Sequence, residues 1–207
     1  MVEITIEIDE SEVKKRLGVL SEQSGKVIAR AVNRTYPTGR TAIARETQKK
    51  YRITQKEINS TLKIRKATES NPKAILRYTG SHKNLSHWNN GKAVKPNKVI
   101  KWTRGSRGSK PNVKVYKASV MKGTAKKLEG KFHNKPFLQE VRKGSFMGLF
   151  QRESSSRDSQ LVSVQAPAIP QIVKNEEVLA QFRRAAGPML QKRLEHEIDV
   201  VLKGVVK

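Results

Sequence analysis

Leu62-Lys63-Ile64-Arg65-Lys66-Ala67, then the turn signal Asn71-Pro72, then Ala74-Ile75-Leu76-Arg77-Tyr78, is the stretch where the chain changes period. Before it, apolar residues recur at helical spacing. Within it, Leu62 and Ile64 alternate with Lys63 and Arg65, the period of two that sends successive side chains to opposite faces of a strand. Asn-Pro between two such runs predicts a turn, so the stretch predicts an antiparallel hairpin with basic outer positions.

Outward from this hairpin, helices are expected at both ends of the chain. Val2, Ile4, Ile6 and Ile8 alternate as a first strand. Asp9 or Ser11 can then cap an amphipathic helix of about 20 residues carrying Val13, Leu17, Leu20, Val27, Ile28 and Ala31, with Gly18 and Gly25 each costing roughly 1 kcal/mol relative to alanine. Tyr36-Pro37 predicts an interruption, because proline lacks a donor and pushes its predecessor out of the α region. Thr38 would then cap a second helix through Ala42, Ile43 and Glu46. Thr54-Gln55-Lys56-Glu57 has capping-box spacing and predicts a third, short helix through Ile58. Toward the other end, Phe137–Val141 and Phe146–Arg152 read as paired strands, with a further strand around Leu161, Val162 and Val164. Val178, Leu179, Phe182, Ala186, Leu190, Leu194, Ile198, Val201, Leu202 and Val205 form the clearest helical stripe, with a break or kink expected at Gly187-Pro188.

Between these parts regular pattern disappears. Gly80 to Pro111 is rich in Gly, Ser, Asn and Lys, with Val99-Ile100-Lys101-Trp102 as a short strand and order resuming near Val113. The expected class is therefore α+β: N- and C-terminal helices packed on a central antiparallel sheet, with a long basic loop insertion. We expect a single domain over residues 1–207, with 80–130 a variable basic loop or arm.

The charge follows the same division. The net charge is +25, and it is +1 over residues 1–44, +15 over 45–110, +8 over 111–157 and +1 over 158–207. A cationic centre repels itself unless a polyanion or an acidic partner neutralises it. Only 36% of residues are hydrophobic and 5% aromatic, and the mean hydropathy is −0.65. A core that lean favours stability borrowed from neighbouring subunits. There is no cysteine, which excludes disulfides and thiolate metal sites. No apolar run reaches the roughly 18 residues of a membrane span. The acidic opening Glu3, Glu7 and Asp9 does not resemble a secretory signal, so synthesis in a cytoplasm is expected.

Nothing in the sequence assembles a catalytic site. His82, His87, His133 and His196 lack ligand spacing with a carboxylate partner, and Glu195, His196 and Glu197 read as a charged helix face. The scattered carboxylates single out no acid–base pair, and Arg104-Gly105-Ser106-Arg107-Gly108 follows no buried strand as a phosphate loop would. No catalytic, metal or cofactor residue is assigned. Lys and Arg interleaved with Trp88, Trp102, Tyr78 and Tyr116 suit phosphate contact and stacking, and suit acidic subunits equally. For DNA-facing charge the candidates are Lys92, Lys95, Lys98, Lys101, Arg104, Arg107 and Lys110. For packing within or between subunits they are Leu190, Leu194, Ile198, Val201 and Leu202.

Several fragments, taken in order, resemble one family. They are Ala31-Val32-Asn33-Arg34, Thr41-Ala42-Ile43-Ala44-Arg45-Glu46-Thr47, Leu62 to Thr68, Asn71-Pro72, Ala74-Ile75, Lys135-Pro136-Phe137-Leu138-Gln139, Phe150-Gln151-Arg152, and Val164-Gln165-Ala166-Pro167-Ala168-Ile169-Pro170. Together they resemble the minor tail protein Z family of long-tailed bacteriophages, over most of the chain apart from about 80–130. The resemblance implies a virion protein of tail completion at the head-proximal end of the tail. Its implied partners are terminator, tube and connector proteins, and its implied role is in a tail that delivers DNA. A homo-oligomeric ring with genomic DNA in its lumen, held without sequence reading, fits that setting. The rival reading is a free-standing, sequence-independent nucleic-acid-binding protein.

Overall fold

The computed structural model of the chain describes residues 1–88, 94–100, 113–123, 125–129, 135–141, 146–154, 156 and 158–205. It is an α+β protein whose strand pairs are antiparallel. Among the described residues the strands are distributed over four small sheets, and the chain divides into two compact units. One unit is Met1–Gln48, Gln55–Gly80 and Ile169–Lys207; the other is Lys49–Thr54 and Ser81–Ala168.

The first unit begins with strand β1 (Val2–Ile6) and helix α1 (Glu10–Leu17). Asp9 caps α1 by accepting from the Ser11 backbone N–H at 2.9 Å, and Gly18 ends it at φ 57°, a conformation only glycine adopts cheaply. A 3-10 helix, Gly18–Gln23, replaces the middle of the expected 20-residue helix. Helix α2 (Ser24–Lys50), helix α3 (Gln55–Ser60), β2 (Leu62–Arg65) and β3 (Ala74–Tyr78) follow, then α4 (Ile169–Val173) and α5 (Glu176–Val205). The predicted hairpin is present in register Leu62↔Tyr78 and Ile64↔Leu76, and β1 closes the other side of β3, giving the order β1-β3-β2.

The expected interruption at Pro37 and the expected break at Pro188 are absent. Helix α2 runs through Pro37 for 27 residues and α5 through Pro188 for 30. An interior proline costs a helix roughly 3 kcal/mol. In α2 that cost is offset by burial on both sides: Val27, Ile28, Ala31, Val32 and Thr35 lie before Pro37, and Gly39, Ile43, Ala44 and Thr47 after it. Each fully buried aliphatic side chain contributes roughly 1.5–3 kcal/mol, so tertiary packing overrides the local break. The Thr41 hydroxyl donates to the Pro37 carbonyl at 2.8 Å in the turn that follows.

The core of this unit joins sequence-distant segments. Val13 and Val27 are buried with Ile28, Ile43, Ile58, Leu76, Val178 and Ile198. Helix α4 packs on β1 and β3, and α1 packs on α5. Two glycines permit close approach. A Cβ on Gly39 would lie 2.4 Å from the Phe182 ring, and one on Gly25 would lie 2.4 Å from the Glu69 carbonyl oxygen. Asn33 pairs its side-chain amide with the backbone of Ala67 in both directions, at 2.9 and 3.0 Å. Helix α2 is thereby stitched to the segment after β2.

The second unit holds β4 (Lys83–Asn84), β5 (Val94–Ile100), β6 (Val113–Ala118), β7 (Lys126–Lys127), β8 (Phe137–Val141), β9 (Phe146–Arg152), β10 (Leu161–Ser163) and β11 (Gln165–Ala166). They pair as β5-β6-β7, β8-β9-β10 and β4-β11. Strands therefore occur inside the region 80–130 expected as a basic loop or arm, β5 including Val99 and Ile100 of the expected short strand and β6 beginning at Val113. Asn84 is a hub: its amide donates to the Leu149 carbonyl and the Ser163 hydroxyl, both at 2.8 Å, and accepts from the Leu149 N–H at 2.9 Å.

Candidate functional site

The outer face of the β1-β3-β2 sheet is a graded charge surface. Alternation along each strand brings Glu3, Arg77 and Lys63 to one cross-strand level and Thr5, Ile75 and Arg65 to the next. Glu3 Oε1 lies 2.5 Å from Arg77 Nε, and Glu7 Oε2 lies 2.7 Å from Lys73 Nζ. The carboxylates beside β1 thus neutralise cations of β3 and of the segment leading into it. Lys63 and Arg65 on β2 have no ion-pair partner among the described residues. A shallow hollow of about 190 Å3 lies among Lys63, Ile64, Arg65, Ile75 and Arg77. Its chemistry is that of an anion or carboxylate contact on a partly apolar floor.

A second cationic surface belongs to the other unit. Strand register places Lys95 opposite Lys117 and Lys117 opposite Lys127, so three lysine positions share one level of the β5-β6-β7 sheet. Like charges directly opposite on neighbouring strands are destabilising. Lys117 and Lys127 have no acidic partner among the described residues. Of the candidates for DNA-facing charge, Lys95 and Lys98 lie on β5, opposite Lys117 and Val115, with a register irregularity between Pro96 and Lys98. Lys92, Lys101, Arg104, Arg107 and Lys110 lie outside the described residues.

The candidates for packing on α5 separate by depth. Ile198 is buried, Leu190, Leu194 and Val201 are half-buried, and Leu202 is exposed. Among them sits a residue the sequence reading placed on a charged face. Glu197 is 2% exposed, 2.5 Å from Arg34 Nη1 and 3.8 Å from Arg30 Nη1. Arg30 and Arg34 are four apart on α2 and so share a face. They hold a carboxylate of α5 between them, and this corrects the expectation that Glu195, His196 and Glu197 form one solvated face. The signal was available: Glu197 falls three residues after Leu194 and four before Val201, in phase with the apolar stripe.

Among the described residues no His, Cys, Asp and Glu cluster suits a metal ion. His82 Nδ1 lies 3.0 Å from the Ala166 carbonyl oxygen, and His196 is exposed. A hollow of about 430 Å3 next to Pro37 is bordered by Thr41, Arg45, Glu46 and Gln181, a set with a single carboxylate. Burial pushes the Tyr78 phenol far above its ordinary range, with the nearby Arg40 charge opposing weakly. Its oxygen has no hydrogen-bond partner. No helix among the described residues is long and apolar enough to cross a membrane.

Two of the fragments that carry the resemblance touch one another, and one of them also reaches α5. Asn33 bonds Ala67, and Arg34, its neighbour, meets Glu197. A family model described as prophage minor tail protein Z (GPZ) matches residues 11–207. Comparison with curated proteins and with solved structures gives no match.

Proposed function

This chain belongs to the prophage minor tail protein Z family and is a phage minor tail protein, and from that premise we propose that it completes the head-proximal end of the tail. In this reading it joins the tube or terminator to the neck, as a homo-oligomeric ring, and DNA passes through or rests in the lumen. The observation that supports it most is the row Lys95, Lys117 and Lys127 across one small sheet. Such a row is unfavourable in isolation and becomes favourable beside a polyanion. Phosphates contacted by lysines alone are held without sequence discrimination, and each contact weakens with salt. That regime suits a conduit, which must not retain the genome.

The test is deletion of the gene in the phage. Heads and tails should still form, with particles that infect poorly; fully infective particles would refute the role. The same lysine row also favours the rival reading, a free-standing nucleic-acid-binding protein. That reading requires tight, salt-dependent duplex binding by the isolated monomer and no place in the virion.

A further inference from the structure

The two free edges of the β1-β3-β2 sheet carry opposite charge. At the β2 edge, Lys63 and Arg65 point to the outer face without counter-ions among the described residues. At the β1 edge, Glu3 and Glu7 lie on that same face. Glu3 meets Arg77 and Glu7 meets Lys73, and neither carboxylate has a second counter-ion among the described residues. Among the described residues β1 and β2 each pair only with β3, so both outer edges present backbone groups with no strand beside them.

Burial is graded in the same direction. Ala74, Leu76 and Tyr78 of the central strand are fully buried, and Ile4 and Ile6 of β1 nearly so. The inner-face residues of β2, Leu62 and Ile64, are only half-buried. A strand added beside β2 would cover them and satisfy the edge.

We propose that the β2 edge of one copy of this chain receives the β1 edge of a second copy, continuing the sheet head to tail. This rests on the ring reading above and supplies its contact. β1 and β2 are parallel to each other, since both are antiparallel to β3. The new pairing is therefore parallel, with Lys63 and Arg65 beside Glu3 and Glu7 of the next copy. A two-fold contact is disfavoured, because β2 against β2 opposes cation to cation and β1 against β1 opposes carboxylate to carboxylate. A head-to-tail contact uses two different edges, so it repeats from copy to copy and gives a ring when the rotation per copy closes.

The test uses full-length protein and two charge-reversed variants, Lys63→Glu/Arg65→Glu and Glu3→Lys/Glu7→Lys. Native mass spectrometry should find wild type multimeric. Each variant alone, with unchanged circular dichroism, should self-associate at least tenfold more weakly. Mixing the two variants should restore multimers with alternating copies, since each edge again meets its opposite. Because Glu3→Lys and Glu7→Lys also disturb Arg77 and Lys73, cysteine pairs give a second measurement in this cysteine-free chain. Lys63→Cys mixed with Glu3→Cys or Thr5→Cys should oxidise to a mixed disulfide. Within one copy β1 and β2 are roughly 10 Å apart across β3, beyond the reach of a disulfide. Disulfides formed by Lys63→Cys alone would overturn the head-to-tail contact. Wild-type multimers that both charge variants leave intact would overturn this edge pairing while sparing the ring. A wild type that stays monomeric in native spectra and in purified tails would overturn both. Duplex DNA binding lost with Lys63→Glu/Arg65→Glu while multimers persist would assign the edge to phosphate instead.

Discussion

Glu197 Oε1 on α5 lies 2.5 Å from Arg34 Nη1 on α2, and the glutamate side chain is 3% exposed while the arginine is half exposed. Truncating one member of such a pair strands the other. Arg34→Ala is expected to destabilise the protein by about 3 kcal/mol, the lower end of the range for broken buried pairs, because the guanidinium keeps contact with water. Glu197→Leu removes the buried charge altogether and should be close to neutral. Urea unfolding of both variants distinguishes an ion-pair clamp from simple packing.

Gly39 sets the approach of α2 to Phe182. Gly39→Ala should cost roughly 1–3 kcal/mol, since the added methyl meets the aromatic ring. Combining it with Phe182→Leu should cost less than the sum of the two single changes, a coupling read from a double-mutant cycle in thermal or urea unfolding.

The Tyr78 phenol is held neutral by burial, its pKa raised. Its contribution is complete below the pKa of the unfolded phenol, about 10, and is lost as pH rises beyond it. Stability should therefore fall steeply above pH about 10, and Tyr78→Phe should flatten that decline. At neutral pH the substitution should be nearly neutral, since the hydroxyl has no partner to lose.

At the acid side, the Ser11 hydroxyl and N–H lower the pKa of Asp9, and Lys14 with Ser24 lowers that of Glu10. Groups with depressed pKa contribute above their unfolded values and lose that contribution as pH falls through the folded ones. The urea midpoint should drop as pH falls below about 4, and Asp9→Asn should reduce the change.

Lys117→Gln and Lys127→Gln relieve a cross-strand repulsion, so each should leave the fold intact or raise its melting temperature at low salt. If the row faces phosphate, each should lower the salt slope of duplex DNA binding by about one. Titrations at several salt concentrations read that slope directly.

Hairpin, class and most strands were legible because alternation survives wherever one face is buried. Leu62 to Tyr78 and Phe137 to Arg152 folded where their periodicity placed them. The predicted interruption at Pro37 failed for a reason no local pattern carries, namely the burial on both sides of it. Only the end of β5, at Val99 and Ile100, and the start of β6, at Val113, were legible, and β4 and β11 were not because two residues are too few to show a period. Of the surfaces, the surplus charge was legible but its organisation was not. Opposing Lys117 to Lys127, or Glu3 to Arg77, requires strand register, a product of tertiary pairing rather than composition.

The clamp of Arg30 and Arg34 on Glu197 joins parts of the chain made at very different moments. Synthesis at about 5–20 residues per second puts roughly 6–25 s between the end of α2 and the start of α5. Throughout that interval Arg30 and Arg34 lack Glu197 and Gly39 lacks Phe182, while the whole Ser81–Ala168 segment is being made. The first unit is thus committed to late closure.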